Sequence, residues 1–362
     1  MNLKIPAGLL HATRLVRGGR LLEATDVIQR ALRGGTTSPA EPGDVIADAA
    51  AIEGSYRVVD AAVPERAPGE FVTRSYTNAA GTREYKTCIP AACHGQASPL
   101  VVMLHGCKQG PDDFAAATRM NALAEEHGFV VVYPRQADKA NVSKCWNWFQ
   151  AKHQQRDRGE PSLIAGITRE VVAAHGLDAR RVYVAGLSAG GAMAAIMGTT
   201  YPDMYAAVGI HSGLAYAVAR DVPSAFAAMR GEGPKRARRR TRDGTQTRSV
   251  PTIVFHGDSD TTVHPSNGDE LIAQGSPAPS AAGAPGSAFA EHERSVEIGD
   301  TGGRAYTRTT YRDTAGKPIM EQWLVHGAAH AWFGGSTEGS FSDPSGPDAS
   351  REMLRFFLQH QN

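Results

Sequence analysis

A Gly-x-Ser-x-Gly pentapeptide at residues 186–190, with Ser188 at its centre, is the stretch most suited to chemistry. An apolar run at residues 182–185 precedes it, and small residues with helical spacing follow it. A serine on a sharp turn between a strand and a helix is exposed in the way a hydrolase nucleophile requires. Gly186 and Gly190 suit this turn because glycine permits a tight backbone and close packing. The alternative is a glycine-rich turn in which Ser188 only caps the helix.

A histidine that follows the last apolar strand could supply the base that such a serine needs. A serine hydroxyl is a weak nucleophile at neutral pH and requires an adjacent base, which a third group orients. In doubly wound hydrolases the order along the chain is Ser, Asp, His, each after a strand. His330 lies five residues past the predicted strand at 320–325, whereas His326 follows that strand directly. We therefore expect His330 to be the base; the alternative is a surface histidine without function.

Two aspartates follow the predicted strand at residues 252–255, and either could orient the base. Asp260 lies further beyond the strand than Asp258, and the Thr-Thr-Val sequence after it can turn the chain back. We therefore prefer Asp260 as the acid. Asp258 then becomes a turn or capping residue, a common role for aspartate in loops.

Backbone amides near the serine are the expected donors to the oxyanion of a tetrahedral intermediate. One is the N–H of Ala189, directly after the nucleophile. The second should come from the loop after an earlier strand, which makes the N–H of Cys107 the expected donor. His105 stands directly at the end of that strand, which favours a structural hydrogen bond over a role as catalytic base.

Aromatic side chains close to these residues in the sequence are candidates for the substrate pocket. Trp146 and Trp148 belong to an aromatic segment at residues 145–149, and Trp332 follows the predicted base by two positions. These three tryptophans and His105 form the predicted lining.

The four cysteines are Cys88, Cys93, Cys107 and Cys145, and they could pair in three ways if fully oxidised. None has the Cys-x-x-Cys spacing of a zinc site. One hypothesis pairs Cys107 with Cys145, which would pin the oxyanion loop against the aromatic segment. A Cys88–Cys93 bridge would then close a small second loop.

The elements that must position these residues alternate between strands and helices. Edge strands are predicted at 56–63, 70–76 and 83–89, and buried strands at 99–104, 129–133, 182–185, 206–210, 252–255 and 320–325. Helices are predicted at 112–127, at 163–175, after Ser188 and at 352–358. Continuous apolar runs are typical of strands covered on both faces. This alternation predicts an α/β domain with a doubly wound, mostly parallel sheet and helices on both faces.

Bulk composition excludes several classes of protein. With 362 residues, 41% of them hydrophobic and 21% charged, the chain can bury a large core. Its net charge of +1 gives no reason to expect nucleic acid as a partner. No apolar run approaches the ~18 residues of a membrane helix. The N-terminus lacks the apolar core of a secretory signal, which suggests a cytoplasmic protein, yet the cysteines allow an extracellular one.

The first 54 residues are predicted to be a helical leader and linker ahead of a catalytic domain at 55–362. Apolar positions from Leu9 to Leu32 indicate two short amphipathic helices, or one helix broken at a Gly-Gly pair. They either pack on the domain or dock to a hydrophobic surface or a partner. The basic run from Lys235 to Arg242 and the low-complexity stretch at 274–288 are expected to be loops.

Taken together, these motifs resemble the esterase family of poly(3-hydroxybutyrate) depolymerases, relatives of feruloyl and acetylxylan esterases. The matching stretches are Leu-His-Gly-Cys at 104–107, Cys-Trp-Asn-Trp-Phe at 145–149, Gly-Leu-Ser-Ala-Gly-Gly at 186–191, His-Gly-Asp-Ser-Asp-Thr-Thr-Val at 256–263 and His-Ala-Trp at 330–332. The resemblance covers about residues 70–358, and the combination is more specific than any one motif.

The resemblance implies an α/β-hydrolase fold and a mechanism without a cofactor. It implies Ser188, Asp260 and His330 as the triad and Cys107 at the oxyanion hole, and it supports the Cys107–Cys145 bridge. The expected substrate is a poly- or oligo(3-hydroxybutyrate)-type ester, and the alternative is a feruloyl or acetyl ester of plant polysaccharide. A third hypothesis is a non-catalytic protein that binds a granule or partner through the segment from Leu9 to Leu32.

Overall fold

The computed structural model describes residues 69–233, 249–275 and 293–362. Several predictions lie outside these ranges: the N-terminal helices with their docking role, the linker at 34–54 and the strand at 56–63. The basic run at 235–242 and most of the low-complexity stretch also lie outside them. The boundary between leader and catalytic domain near residue 54 therefore stays a prediction.

The described residues contain twelve strands and seven α-helices. The strands are β1 (Glu70–Asn78), β2 (Gly81–Ile89), β3 (Leu100–Leu104), β4 (Val130–Pro134), β5 (Val182–Leu187), β6 (Ala207–His211), β7 (Thr252–Gly257), β8 (Glu293–Thr301), β9 (Arg304–Arg312), β10 (Pro318–Val325), β11 (Trp332–Phe333) and β12 (Ser342–Asp343). The helices are α1 (Pro111–Thr118), α2 (Met120–His127), α3 (Gly159–His175), α4 (Ala189–Thr200), α5 (Val222–Met229), α6 (Ser266–Gly275) and α7 (Ala349–Phe357). Short 3₁₀ turns occur at Ala91–Cys93 and Ala151–His153.

Ten of these strands form one sheet in the order β1-β2-β4-β3-β5-β6-β7-β10-β9-β8. The six central strands, from β4 to β10 in that order, run parallel. The remaining strands pair antiparallel at the two edges. The predicted doubly wound, mostly parallel sheet is thus confirmed.

The central strands are buried on both faces, as their apolar runs predict. Every residue of β3 is 0% exposed, and its side chains alternate between two core clusters. Helices α3 and α4 contribute to the cluster on one face, and α1, α2 and α7 contribute to the cluster on the other. Because both faces are covered, the polar ends of the parallel strands are the place where functional side chains can gather.

A single helix was predicted at 112–127, but the structure has two helices there, α1 and α2. Arg119 adopts a left-handed conformation with φ 53° and ends α1, and its N–H donates to Ala115 O and Ala116 O. Such a break at a residue other than glycine has no clear sequence signal. The predicted end of the second helix is correct, since Gly128 adopts φ 70° and donates to Ala124 O.

The edge strands β8 and β9 were not predicted, nor were helices α5 and α6. Most described side chains of β8 are exposed, so this strand has no apolar run by which to recognise it. None of the helices in the described ranges is long and apolar enough to cross a membrane.

Candidate active site

Ser188 occupies a strained turn between β5 and α4. Its backbone has φ 57° and ψ −119°, a conformation that non-glycine residues rarely adopt, and its N–H donates to His211 O at 2.9 Å. A Cβ atom at Gly190 would lie 1.9 Å from Leu104 O, and one at Gly186 would lie 2.4 Å from the Gly190 carbonyl. Both glycines are therefore required for the close approach of β3, β5 and α4 around the serine.

Asp260 and His330 meet after the ends of β7 and β10. His330 Nδ1 lies 2.7 Å from Asp260 Oδ2, and Asp260 is 4% exposed. The other carboxylate oxygen, Oδ1, accepts the N–H groups of Thr262 at 2.9 Å and Val263 at 2.8 Å. The chain turns back after the aspartate, so that its own backbone holds the carboxylate in one orientation.

The Asp260 carboxylate is stabilised in its charged form. Burial alone raises the pKa of Asp260, but hydrogen bonds from His256, His330 and the Val263 N–H outweigh that effect and hold the pKa below its usual value. An ionised carboxylate at this position can hold the Nδ1–H of His330, which leaves Nε2 of the imidazole as the nitrogen able to accept a proton.

Asp258 belongs to a separate pair. Its carboxylate accepts the Gly327 N–H at 2.7 Å and contacts His326 Nδ1 at 2.9 Å, and His326 Nε2 contacts Thr307 Oγ1. Asp258 therefore ties together the two loops that carry Asp260 and His330. Its contacts are those of a turn residue.

The serine and the loop after β3 lie at the point where the strand order reverses. From β3 the chain passes to β4 on one side and then to β5 on the other. Open α/β sheets bind ligands in the crevice at the carboxyl ends of such strands. A Cβ atom placed on Gly106 would lie 3.7 Å from Ser188 Cβ, so the loop runs directly beside the serine.

Two backbone amides near Ser188 are available to a ligand. The Ala189 N–H is in the first turn of α4, where amides have no acceptor within the helix. On the other loop, the Gly106 N–H donates to Gln109 Oε1 at 2.9 Å and the Lys108 N–H donates to Ser143 O at 2.7 Å. Between them, the Cys107 N–H has no hydrogen-bond acceptor among the described residues.

A disulfide joins Cys107 to Cys145, with the two Cα atoms 4.2 Å apart. The bridge holds the loop after β3 against the aromatic segment at 145–149, as the first cysteine hypothesis states. The second bridge was wrongly predicted, because Cys88 and Cys93 are both buried free thiols. Cys88 packs in the core on one face of the sheet and Cys93 in the core on the other, so the two sulfur atoms do not meet.

Three of the predicted pocket residues are core residues instead. His105, Trp146 and Trp332 are 1%, 0% and 0% exposed. Trp146 Nε1 donates to His105 O at 3.1 Å, and Trp332 Nε1 donates to Ser350 Oγ at 3.0 Å. They cannot line an open pocket, because their indole and imidazole rings fill space beneath the loops. Trp148 is also buried but keeps 6% exposure.

His256 and His211 are two buried histidines beside the site that the sequence did not single out. His256 Nε2 lies 2.8 Å from Val263 O and 3.5 Å from Asp260 Oδ2. His211 Nε2 accepts the Phe333 N–H at 3.2 Å, and burial holds its pKa well below the usual value. For His256, the available signal in the sequence was its position four residues before Asp260, at the end of the same strand.

A family model described as "Esterase PHB depolymerase" matches residues 84–294, more than half of the chain. The chain belongs to this esterase family. The matched range contains Cys107, Ser188 and Asp260 and ends before His330. The resemblance inferred from the sequence motifs is thereby confirmed.

Curated relatives of this chain include polyhydroxyalkanoate depolymerases, feruloyl esterases and acetylxylan esterases. Poly(3-hydroxyalkanoate) depolymerase C of Paucimonas lemoignei is 33% identical over 242 residues, which are 64% of this chain and 55% of that protein. Feruloyl esterase B of Neurospora crassa is 29% identical over 187 residues, which are 48% of this chain and 63% of that protein. The matches thus span between about half and two thirds of these relatives' own lengths.

A solved structure agrees with the fold of this esterase. Acetyl xylan esterase from Aspergillus awamori matches with a TM-score of 0.58 at 19% identity, covering 80% of this chain and 99% of that one. At that identity the likeness shows the fold alone, and it confirms the expected α/β-hydrolase architecture.

The disulfide gives a first testable prediction. Replacing both Cys107 and Cys145 with alanine is expected to lower the free energy of unfolding by about 4 kcal/mol, the chain-entropy value for a loop closed across 38 residues. Urea unfolding of the variant and of the oxidised protein measures the difference. The reduced wild type should unfold like the variant, and the variant itself should not respond to reductant. Equal stability of oxidised and reduced wild type would contradict the prediction.

Proposed function

We propose that this protein is a serine carboxylic ester hydrolase that works through an acyl-enzyme. The observation that carries the proposal is the contact between the half-buried His330 and the buried Asp260, whose Nδ1 and Oδ2 atoms are 2.7 Å apart. These residues follow Ser188 in the chain order of doubly wound hydrolases, and all three lie just past the ends of parallel strands. Family membership supports the same chemistry.

In the proposed mechanism, Ser188 Oγ attacks the ester carbonyl while His330 Nε2 takes its proton. Asp260 keeps Nδ1 protonated and stabilises the imidazolium that forms. The N–H groups of Cys107 and Ala189 receive the oxyanion, whose charge develops where the donors already point. His330 then protonates the departing alcohol, and water attacks the acyl-enzyme by the same steps in reverse.

The proposed substrates are poly- or oligo(3-hydroxybutyrate)-type esters. Depolymerases of two bacteria support this choice: the Paucimonas lemoignei enzyme and the poly(3-hydroxybutyrate) depolymerase of Ralstonia pickettii, which is 28% identical over 250 residues. Feruloyl and acetyl esters of polysaccharide are the second candidate, supported by the fungal relatives.

A substrate panel distinguishes the two candidates. Purified protein would be assayed on p-nitrophenyl butyrate as a general ester, on 3-hydroxybutyrate trimer, on methyl ferulate and on acetylated xylan. We expect turnover of the general ester, and a kcat/KM for the trimer at least tenfold above that for methyl ferulate. Turnover of ferulate or acetylated xylan with none of the trimer would reject the first candidate and favour the second.

A further inference from the structure

Gln109 lies two residues beyond Cys107, and its polar side chain is 1% exposed. Its Oε1 accepts the Gly106 N–H at 2.9 Å. Its Nε2 donates to Asp113 Oδ2 at 2.9 Å and to Ser340 O at 2.8 Å. Both ends of the buried amide are therefore satisfied.

The peptide between Gly106 and Cys107 is held from its carbonyl side. His105 Nδ1 lies 2.7 Å from Gly106 O, and His105 Nε2 accepts the Gln136 N–H at 3.1 Å. Since Nε2 must be unprotonated to accept, Nδ1 carries the proton and donates it to Gly106 O. Burial lowers the pKa of His105 to about 4, although the bond to Gly106 opposes the shift, so the imidazole is neutral in ordinary buffers.

This arrangement fixes the direction of the Cys107 N–H. In a planar trans peptide the carbonyl and the N–H of the same unit point in opposite directions. Holding Gly106 O toward His105 therefore aims the Cys107 N–H the other way. Glycine has wide conformational freedom, and the hydrogen bond from the Gly106 N–H to Gln109 Oε1 restricts it at this position. A side chain at position 106 would crowd Gln109 Oε1, 3.1 Å from its Cβ, so glycine and Gln109 fit as a pair.

The other end of Gln109 reaches the part of the chain that follows the base. Ser340 lies ten residues after His330, between β11 and β12, and its N–H and hydroxyl both donate to Asp113, at 2.8 and 2.6 Å. Gln109, Asp113 and Ser340 thus form one network that runs from the buried Gln109 through the half-buried Asp113 to the exposed Ser340. The network connects the loop beside Ser188 to the chain segment that follows His330.

We propose that Gln109 is a positioning residue for the oxyanion hole, holding the 105–107 backbone so that the Cys107 N–H meets the oxyanion. This inference rests on the proposed ester hydrolysis. It assigns Gln109 no contact with substrate. A residue with this role affects the transition state more than substrate binding, so its loss should lower kcat and leave KM nearly unchanged.

Gln109→Glu tests the proposal because it keeps the size of the side chain. The new carboxylate can still accept the Gly106 N–H, but when ionised it cannot donate to Asp113 or Ser340 and it repels Asp113. We expect kcat for p-nitrophenyl butyrate, per titrated active site, to fall about 10- to 100-fold at pH 8, with KM within threefold. As the pH falls, the introduced carboxylate at position 109 and that of Asp113 come to share a proton, and this proton restores a hydrogen-bond donor between them. The ratio of variant to wild-type kcat should therefore rise toward pH 5.

Three further variants and one binding measurement complete the experiment. Gln109→Ala should lose kcat to a similar extent with a ratio that does not change with pH, and Asp113→Ala should lose about 3- to 10-fold. Gln155→Glu is the matched control: its amide donates to Ala151 O on an exposed turn, and its ratio should stay near one. A trifluoromethyl ketone that mimics the tetrahedral intermediate should bind Gln109→Glu more weakly by about the factor lost in kcat.

A flat pH ratio for Gln109→Glu, or a loss carried by KM, would overturn the proposal, as would kcat within threefold of wild type in Gln109→Ala. Equal weakening of a ground-state ester analogue and of the ketone would also overturn it, because a merely structural change would affect both. Failure of the proposed function is distinguishable: the wild-type protein would then neither turn over the ester nor react with an active-site titrant.

Discussion

Ser188→Ala is expected to lower kcat for p-nitrophenyl butyrate by about 10⁴-fold or more, with little change in KM. The substitution removes the only atom that forms the acyl-enzyme, so what remains is the assistance of the oxyanion donors to direct attack by water. Alanine keeps the Cβ atom, and the backbone bond from residue 188 to His211 O stays available. We therefore expect a melting temperature close to that of the wild type. Initial rates and thermal unfolding measure both quantities.

Ser259→Ala is the matched control for this experiment. Ser259 lies on the loop between Asp258 and Asp260, but it is exposed and its hydroxyl contacts Asp258 Oδ1 at 3.1 Å. Its activity should stay within about twofold of wild type. Turnover by Ser188→Ala within tenfold of wild type would reject the triad. Absence of turnover in the wild type on every ester tried would favour the non-catalytic binding hypothesis instead.

The fold was predictable because its central strands are continuous runs of apolar residues. Residues 100–104 are all apolar and all fully buried, and only strands covered on both faces combine such runs with intervening helices. The edge strands lack this signal. In β8, Val296 and Ile298 are 53% and 79% exposed, so the apolar residues there do not mark a buried face.

The order of the candidate site residues was predictable for a topological reason. Parallel strands bring their carboxyl ends to one edge of the sheet, so Ser188, Asp260 and His330, which follow β5, β7 and β10, lie at the same edge although Ser188 and His330 are far apart in sequence. The turn-back after Asp260 was also visible as a Thr-Thr-Val sequence. These inferences needed only strand positions and direction.

Buried polar contacts between distant segments could not be predicted from the sequence. Gln109 donates to a carbonyl 231 residues away, and nothing around position 109 indicates that partner. The pocket prediction failed for the same reason. An aromatic segment next to a catalytic loop can face the ligand or fill the space behind the loop, and Trp146 does the latter because its N–H satisfies His105 O.

Asp260→Asn is expected to lower kcat about 10³- to 10⁴-fold, whereas Asp258→Asn should leave kcat within about threefold. Asparagine at 260 can keep an oxygen toward the N–H groups of Thr262 and Val263. Its NH₂ group then faces His330 Nδ1 as a donor, which favours the imidazole tautomer with the proton on Nε2. In that tautomer the imidazole cannot accept the serine proton, so the loss falls on kcat.

The two aspartates make this comparison sharp, because each contacts a histidine at nearly the same distance, 2.7 Å for Asp260 and 2.9 Å for Asp258. They differ in burial and in the groups that contact their carboxylates. Asp260 is 4% exposed and lies beside a second imidazole, while Asp258 is exposed and caps the Gly327 N–H. In Asp258→Asn the amide oxygen can still accept the Gly327 N–H, and the change at the contact with His326 should cost about 1 kcal/mol of stability and little activity. If Asp258→Asn instead caused the larger fall in kcat, Asp258 and His326 would be the acid and base, and the assignment of Asp260 and His330 would be wrong.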